Sequence, residues 1–495
     1  MEAPRQKLMK ERAAVVATTT FAVELERGRK GEVGSDTSYH FISVEQTSQL
    51  IAAREIALRL RAEGKQAFFV GGCVRDMLLG RPAKDFDVVT DARPEEVIRT
   101  FHVESFEAGE RSAPSAKLVG AHFGVVLVRA GLETIEVATF RSEGAYSDGR
   151  HPDAVVFETD PSKDVLRRDF TINALLLDPE TSEVIDYVGG RADLEAGVIR
   201  AIGSPHRRFE EDHLRMLRAI RFAARLGFTI DPGTLAAIRE LAPRIHTVPP
   251  ERQRDELTRI LLEGGARQGF EMLDEAGLLH EMLPEIERMK GVQQPPQFHP
   301  EGDVWIHTLL MLEGLQNPTP ELALGVLLHD VGKPPAFRMA NRIRFDGHPE
   351  MGVQIALEIL TRFRYPNDTI DQALALVANH MRFMDAPRMN SSTLKRFLRM
   401  DRFHEHLALH RLDCLGSNGQ FATWEFVKGK LEELPNEALR PARLLTGEDL
   451  IAAGYKPGPQ MKVMLTAVED AQLEGTIQSL PEALALVSER FPLGP

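Results

Sequence analysis

Apolar residues follow two different periods in this chain, and the change between them divides it. Ala67-Phe-Phe-Val70 is a short unbroken apolar run that stops at Gly71-Gly72, and Val88-Val89 follows Asp87 in a second run. Thr134-Ile-Glu-Val-Ala-Thr-Phe-Arg141 alternates apolar and polar positions. These patterns predict strands, with a Gly-Gly turn and a short helix between the first two. Further on the spacing is helical. Leu214, Leu217, Ile220 and Ala224 form one stripe within Arg208–Gly227, and Gly227 is placed to end that helix. Leu322–Leu328 reads as an apolar helix and Gln460–Glu474 as another, while Thr446-Gly-Glu-Asp449 resembles a capping box opening a short helix. The polar stretch His102–Lys117, with its glycine and proline, reads as a loop.

Length and charge then bound the picture. A chain of 495 residues is too long for one core and predicts three or more domains. No apolar run reaches the length of a membrane span, so no membrane partner is expected. The run Ala13–Val23 is interrupted by threonines and followed by Glu24, which argues against a secretory signal; residues 1–45 read as a flexible tail. Cys73 and Cys414 are the only cysteines, which excludes a disulfide framework and a Cys₄ zinc site and points to the cytoplasm. The net charge of −13 does not suggest a nucleic-acid binder, but charge is unevenly spread. Arg200, Arg207, Arg208, Arg215, Arg218, Arg221 and Arg225 crowd one segment, either as a solvated helix face or as a positive cleft for phosphates.

Candidate chemistry starts at Asp85 and Asp87. On a strand, residues two apart share a face, so the two carboxylates repel unless a cation lies between them. Oxygen donors suit a hard divalent ion, Mg²⁺. Gly71-Gly72 allows backbone N–H groups to approach a phosphate at a helix start, although the spacing is not that of a dinucleotide fingerprint. Glu136, if its strand lies beside that of Asp85 and Asp87, completes a three-carboxylate site able to hold two metals roughly 4 Å apart; otherwise it is an edge-strand surface residue. Arg167 and Arg168 offer planar forks for triphosphate oxygens, or are surface arginines of a capped helix. Asp169 and Asn173 are suited to orient a ribose hydroxyl or to fix those arginines. Asp212 stands one turn before Arg215. Cytosine and adenine each present an amino donor beside an acceptor, and guanine and uracil the reverse, so one Asp–Arg pair can accept C and A and reject G and U. The same pair also reads as an i,i+3 salt bridge worth roughly 0.2–0.5 kcal/mol.

The order of these motifs resembles the class II tRNA nucleotidyltransferase and poly(A) polymerase family, over roughly residues 50 to 290. Gly71-Gly-Cys-Val-Arg-Asp76, Asp85-Phe-Asp87, Arg167-Arg-Asp-Phe-Thr-Ile-Asn-Ala174 and Glu211-Asp-His-Leu-Arg-Met-Leu-Arg-Ala-Ile-Arg221 carry the resemblance. It implies an α+β palm with a mixed β-sheet, followed by an all-α neck and body. It implies that Asp85 and Asp87 bind Mg²⁺, with Glu136 as third carboxylate. It further implies that Gly71, Gly72, Arg75, Arg167 and Arg168 handle triphosphate, that Asp212 and Arg215 read the base, and that Arg218 and Arg221 support nucleotide binding. Asp186–Leu194 resembles the family's sheet-closing turn. Poly(A) polymerases of the family tend to carry a basic-basic-Phe run where this chain has Ala121-His122-Phe123, which argues for a tRNA enzyme.

A second pattern begins at Gln297. His307, the adjacent His329-Asp330, His348, His380 and Asp413 supply imidazole and carboxylate donors suited to Mn, Fe, Ni, Zn or Mg. A His-Asp pair ending an apolar helix is costly to bury unless paired or metal-bound. The pattern resembles the HD phosphohydrolase domain, an all-α fold. That implies His307, His329, Asp330 and Asp413 as core ligands, with His348 and His380 holding a second metal or substrate phosphate and Lys333 contacting phosphate. His404, His406 and His410 read as surface residues of one helix.

These readings give a tail (1–45), a palm (49–203), a helical neck and body (204–296), an HD domain (297–425) and a helical C-terminal tail (440–495). The expected function is addition of C, C and A to tRNA from CTP and ATP, with an attached phosphohydrolase. The alternatives are poly(A) or partial CCA addition, and an HD phosphohydrolase whose N-terminal module binds RNA.

Overall fold

The computed structural model describes residues 47–83, 85–101, 124–144 and 154–493, with the backbone of three further strands. Those strands are β1 (Thr19–Glu24) and β2 (Tyr39–Val44), which pair antiparallel, and β5 (Ser115–Leu118). The rest of the predicted tail, Ala121-His122-Phe123 and the segment 102–114 lie outside the described residues. The chain divides into two compact units, one ending at Val248 and one beginning at Pro249.

The first unit is built on a seven-stranded mixed sheet of order β9-β8-β3-β4-β7-β6-β5. Its strands are β3 (Ala67–Val70), β4 (Asp87–Thr90), β5, β6 (Val125–Ala130), β7 (Glu133–Thr139), β8 (Leu176–Leu177) and β9 (Val184–Ile185). Only β4 and β7 run parallel within it; Val88 pairs with Val137 and Thr90 with Thr139. The predicted loop over His102–Lys117 thus yields its last residues to β5, which pairs with β6. On β7 the alternation does what the sequence pattern requires: Ile135 and Val137 are buried while Glu136 is exposed. Helices α1 (Ser48–Ala62), whose Leu50, Ala53, Ile56 and Leu60 are buried, and α3 (Pro94–Phe101) pack on the sheet. Phe68, Val70, Val89, Phe140, Val165, Leu176 and Ile202 form a second apolar cluster.

Between β3 and β4 lies α2 (Gly72–Leu78). Gly71 makes the turn into it at φ +83°, where a side chain would be strained and its Cβ would sit 3.7 Å from Asp87 Oδ2. Helix α4 (Pro161–Leu166) begins at an Asp160 cap.

The segment predicted as one helix over Arg208–Gly227 is two. α5 (Pro205–Glu211) stops where Asp212 turns extended, and α6 (Leu214–Leu226) restarts beyond His213. Asp212 Oδ1 accepts from Leu214 N–H at 3.1 Å, so the side chain takes over a backbone hydrogen bond and breaks the ladder. Gly227 ends α6 in the left-handed region as expected.

The second unit is helical. α7 (Val304–Glu313), α8 (Pro320–Leu328), α9 (His348–Arg362), α10 (Asn367–Asn379) and α11 (Phe403–Gly416) pack against one another. α12 (Gly447–Ala452) opens with the predicted capping box, Thr446 and Asp449 each bonding the other's backbone. It joins α13 (Pro459–Glu474) and α14 (Leu480–Arg490) around Leu450, Met464, Val468 and Val487. No helix among the described residues is long and apolar enough to cross a membrane.

Candidate functional site

The parallel pairing of β4 with β7 decides where the first unit's carboxylates stand. Val88 faces Val137 in register, so Asp87 and Glu136, each one residue earlier, are neighbours on the opposite face. Val88 and Val137 are fully buried; Asp87 is half-buried, and Asp85 and Glu136 are exposed. Burial pushes the Asp87 carboxyl up to about 6, the charges of Glu136 and Asp85 add to that, and Arg168 opposes it. A group whose charge is disfavoured by burial and by two like neighbours is one that a cation stabilises. Three carboxylates are hard oxygen donors and fit Mg²⁺.

The arginines beside this face are held by acids. Asp164, 1% exposed, takes Arg167 on Oδ1 (Nη2 2.6 Å, Nε 3.0 Å) and Arg168 on Oδ2 (Nη2 2.9 Å, Nε 3.2 Å). Arg167 also reaches Glu143 at 3.2 Å. Asp169 Oδ2 binds Arg218 at 2.8 Å. Arg75 is buried: it donates to Asp76 and, at 2.6 Å, to Asn173 Oδ1, and its guanidinium lies 5.3 Å from the Phe222 ring centroid. Arg221 stacks on the same ring at 4.3 Å. Arg215 donates to Glu211 Oε2 at 2.6 Å, an i,i+4 bridge from the preceding helix. The seven-arginine segment is therefore not an uncompensated positive cleft, because Glu211, Asp169, Asp76 and Asp193 are paired into it.

In the second unit α7, the end of α8 and the starts and ends of α9 to α11 bring His307, His329, Asp330, His348, His380 and Asp413 together. His307, His329 and Asp330 are at most 1% exposed. Asp330 is central: its Oδ2 lies 3.1 Å from His329 Nε2, and its Oδ1 lies 3.6 Å from His348 Nε2 and 3.7 Å from His380 Nε2. His307 Nε2 is 3.2 Å from Asp413 Oδ1. Gly332 allows the close approach, since a Cβ there would meet His348 O at 2.1 Å. Lys333 is buried as well; its Nζ lies 2.6 Å from Asp330 Oδ2 and donates to Gln294 Oε1 at 2.6 Å, turned inward.

The donor set fits a metal. His329, His348 and His380 each place Nδ1 against the carbonyl three residues earlier, at 2.8, 2.9 and 2.7 Å. Those bonds put the ring protons on Nδ1 and leave Nε2 lone pairs facing inward. His348 Nε2 and His380 Nε2 are 3.1 Å apart. Burial pushes His380 down to about 3, with His329 and His348 assisting against Asp330, so its ring is neutral. His307 Nε2, His329 Nε2 and both Asp330 oxygens are buried without a hydrogen-bond partner; the Asp330 ion-pair contacts fall outside hydrogen-bond geometry. Such atoms are costly unless an ion satisfies them.

With both centres described, the likeness to known proteins is informative. The poly A polymerase head domain matches residues 67–200, the probable RNA and SrmB-binding site of polymerase A matches 227–290, and the HD domain matches 304–406. A CCA-adding enzyme of Enterococcus faecalis is 45% identical over 44% of this chain, a stretch spanning half of that relative. A multifunctional CCA protein of Pseudomonas paraeruginosa is 36% identical over 72% of this chain and 85% of its own length. The chain belongs to the CCA-adding enzyme and poly(A) polymerase family. The crystal structure of the Bacillus stearothermophilus CCA-adding enzyme in complex with CTP superposes with a TM-score of 0.69 at 26% identity, over 90% of this chain and 98% of that one. The α+β head followed by helical domains is thus the fold of the CCA-adding enzyme family.

Sequence reasoning missed residues at both centres of this family member. Asp164 was legible in principle, since it precedes Arg167 and Arg168 by three and four positions at a helix end. Glu301 and His299 had no such signal, because a loop carries them to His307. His406 and His410 are buried, not surface residues; only His404 is exposed. His410 stacks on Phe383 at 4.3 Å, which makes that helix face part of the core.

Proposed function

We propose that this enzyme adds C, C and A to the 3′ end of tRNA from CTP and ATP, and that its second unit is a metal-dependent phosphohydrolase. The observation that carries the first reading is the parallel β4–β7 register, which sets Glu136 beside Asp87 on an open face. The reaction joins the RNA 3′-hydroxyl to the α-phosphate of the nucleotide and releases pyrophosphate. Asp85, Asp87 and Glu136 would hold Mg²⁺, which when bound polarises the hydroxyl and offsets charge on the leaving oxygens. Arg167 and Arg168, fixed by Asp164, bind triphosphate oxygens, with Gly71 and Gly72 lining the turn beside Asp87. Arg75 acts from within, by holding Asn173; Asp169 does the same for Arg218. Asp212 and Arg215 read the base edge, and Glu211 aims Arg215. Arg221 braces the helix through Phe222.

At the second centre His307, His329, Asp330 and Asp413 would hold one divalent ion among Mg, Mn, Ni, Fe and Zn, with His348 and His380 extending the site on the far side of Asp330. Activation of water against a phosphoester is the chemistry such an ion supplies. Buried free thiols at Cys73 and Cys414 fit a cytoplasmic setting.

The test is to sequence the 3′ end of a tRNA lacking CCA after incubation with all four NTPs. Two C residues and one A, then termination in excess ATP, are expected. The head-domain likeness to poly A polymerase gives the other reading: long A tails on an oligo(A) primer with no C added to the tRNA.

A further inference from the structure

Four histidines of the second unit's centre present Nε2 inward, but they are oriented by two different means. His329, His348 and His380 are aimed by backbone: each Nδ1–H meets the carbonyl three residues earlier, of Val326, Phe345 and Val377. His307 meets a carbonyl that is distant in sequence, that of Gly416, and has a carboxylate beside the same nitrogen. It lies within α7, where the carbonyl three residues back, that of Val304, accepts the Thr308 hydroxyl at 2.9 Å. Its Nδ1 is placed instead 2.8 Å from Glu301 Oε1 and 3.2 Å from Gly416 O. The shorter contact is to a carboxylate, whose charge beside Nδ1 makes the opposite nitrogen a better donor.

Glu301 is itself fixed. The same oxygen, Oε1, lies 2.8 Å from His299 Nδ1, and the His299 ring stands edge-on to that of His307 with centroids 4.9 Å apart. Glu301 is 7% exposed at its side chain, and its Oε2 is buried without a hydrogen-bond partner. A carboxylate is not carried into such surroundings by packing alone.

We propose that Glu301 is a positioning residue of the phosphohydrolase centre: its carboxylate, 2.8 Å from His307 Nδ1, steadies the ring that Gly416 O anchors by a hydrogen bond, so that Nε2 is held toward Asp413 and His329, and His299 holds Glu301 in turn. This rests on the reading of the cluster as a metal centre. Neither residue falls within the matched HD segment, which starts at Val304.

The test uses full-length protein stripped of metal and titrated with Co²⁺, read by calorimetry and by the visible absorption of the bound ion. Loss of an outer carboxylate typically lowers affinity about 10–100-fold. Glu301→Ala is expected to do so and to shift the Co²⁺ band; Glu301→Gln, which keeps an acceptor oxygen but not the charge, should lie between wild type and Ala. If Glu301→Ala fails to fold, as judged by its melting curve without metal, Glu301→Gln decides alone through the same weakening and band shift. Wild-type affinity and an unchanged band in the folded variants would overturn the proposal. A drop in the number of ions bound, with affinity for the remainder intact, would make Glu301 a ligand and also overturn it. Absence of Co²⁺ binding by the wild type would instead overturn the metal-centre reading itself.

Discussion

Asp87 is half-buried on an open sheet face among other carboxylates, whereas Asp330 is 1% exposed among histidines. The first environment offers only oxygen and is edged by arginines. It suits a hard ion that arrives with a nucleotide's phosphates and leaves with them. The second offers nitrogen and oxygen inside a helical core, which suits an ion that stays. The means of alignment also differ. In the first unit, side chains aim side chains: Asp164 holds Arg167 and Arg168, Asp169 holds Arg218, and Glu211 holds Arg215. In the second, all four histidines set Nδ1 against a backbone carbonyl, and only His307 has a carboxylate beside that nitrogen as well. Substitutions behind the first centre should therefore be costly, and those behind the second mostly silent.

The largest effect should separate the two centres. Asp87→Ala, and Asp85→Ala with it, is expected to lower nucleotide addition by about 10³-fold, as for removal of a preorganised electrostatic group. Any phosphohydrolase activity should be unchanged. Near-wild-type incorporation of labelled CTP by either variant would break the assignment of the first centre.

The converse change sharpens the contrast. His329→Ala with Asp330→Ala is expected to abolish tightly bound transition metal while leaving CTP and ATP incorporation intact. Elemental analysis of the purified protein gives the answer; unchanged metal content would remove the second centre from the comparison.

Asp164→Asn tests whether side chains do the aiming in the first unit. It removes the negative charge the two guanidiniums share and one of their two acceptor oxygens. Because the guanidiniums retain 17% and 19% exposure, the cost should be at the low end for a broken buried pair, about 3 kcal/mol. Loss of triphosphate alignment should raise KM for CTP about tenfold, equivalent to about 1.4 kcal/mol. Burial opposes ionisation of Asp164, but Arg168 and Arg167 outweigh it and hold the group below its ordinary 3.8. Its contribution is then complete above that value and lost as pH falls through the lower, folded one. The stability gap between wild type and Asp164→Asn should be constant near neutrality and close below about pH 4, measured by denaturant unfolding at each pH. A gap that widens on acidification would contradict the ion-pair account.

What the sequence disclosed follows the same division. Strands, glycine turns and the histidine–aspartate cluster were legible because they depend on local period and residue chemistry: β3, β4, β7 and the Gly71 turn stand where the pattern put them, and the six residues of the HD pattern lie together. What failed were a local competition within one apolar stripe and contacts made across the fold. The single helix over 208–227 broke because an aspartate at position 212 prefers a cap, a local competition that the apolar stripe conceals. His406 and His410 looked like surface residues because histidine gives no burial signal, and only packing against Phe403 and Phe383 settles it. Glu301 reaches His307 from a loop, where no period exists to be read.

That break at Asp212 yields the smallest and most discriminating prediction. With one continuous helix, base choice would depend on Asp212 and Arg215 alone, one turn apart on one face. With two helices, Asp212 Oδ1 caps α6 and Arg215 is aimed by Glu211. Reversing the polarity of both Asp212 and Arg215 should admit GTP or UTP, since a lost hydrogen bond to a charged group costs about 1.5–3 kcal/mol, or roughly tenfold and more. Glu211→Gln should act more gently. It leaves both base-reading groups in place but loosens Arg215, so selection for C and A over G and U should fall about threefold, or roughly 0.7 kcal/mol. The maximal rate with CTP should hardly change. Competition assays with mixed NTPs on a truncated tRNA give the ratio directly. Full discrimination in Glu211→Gln would mean that Arg215 finds its geometry without that partner, and that the first unit, too, aims its key side chains by backbone.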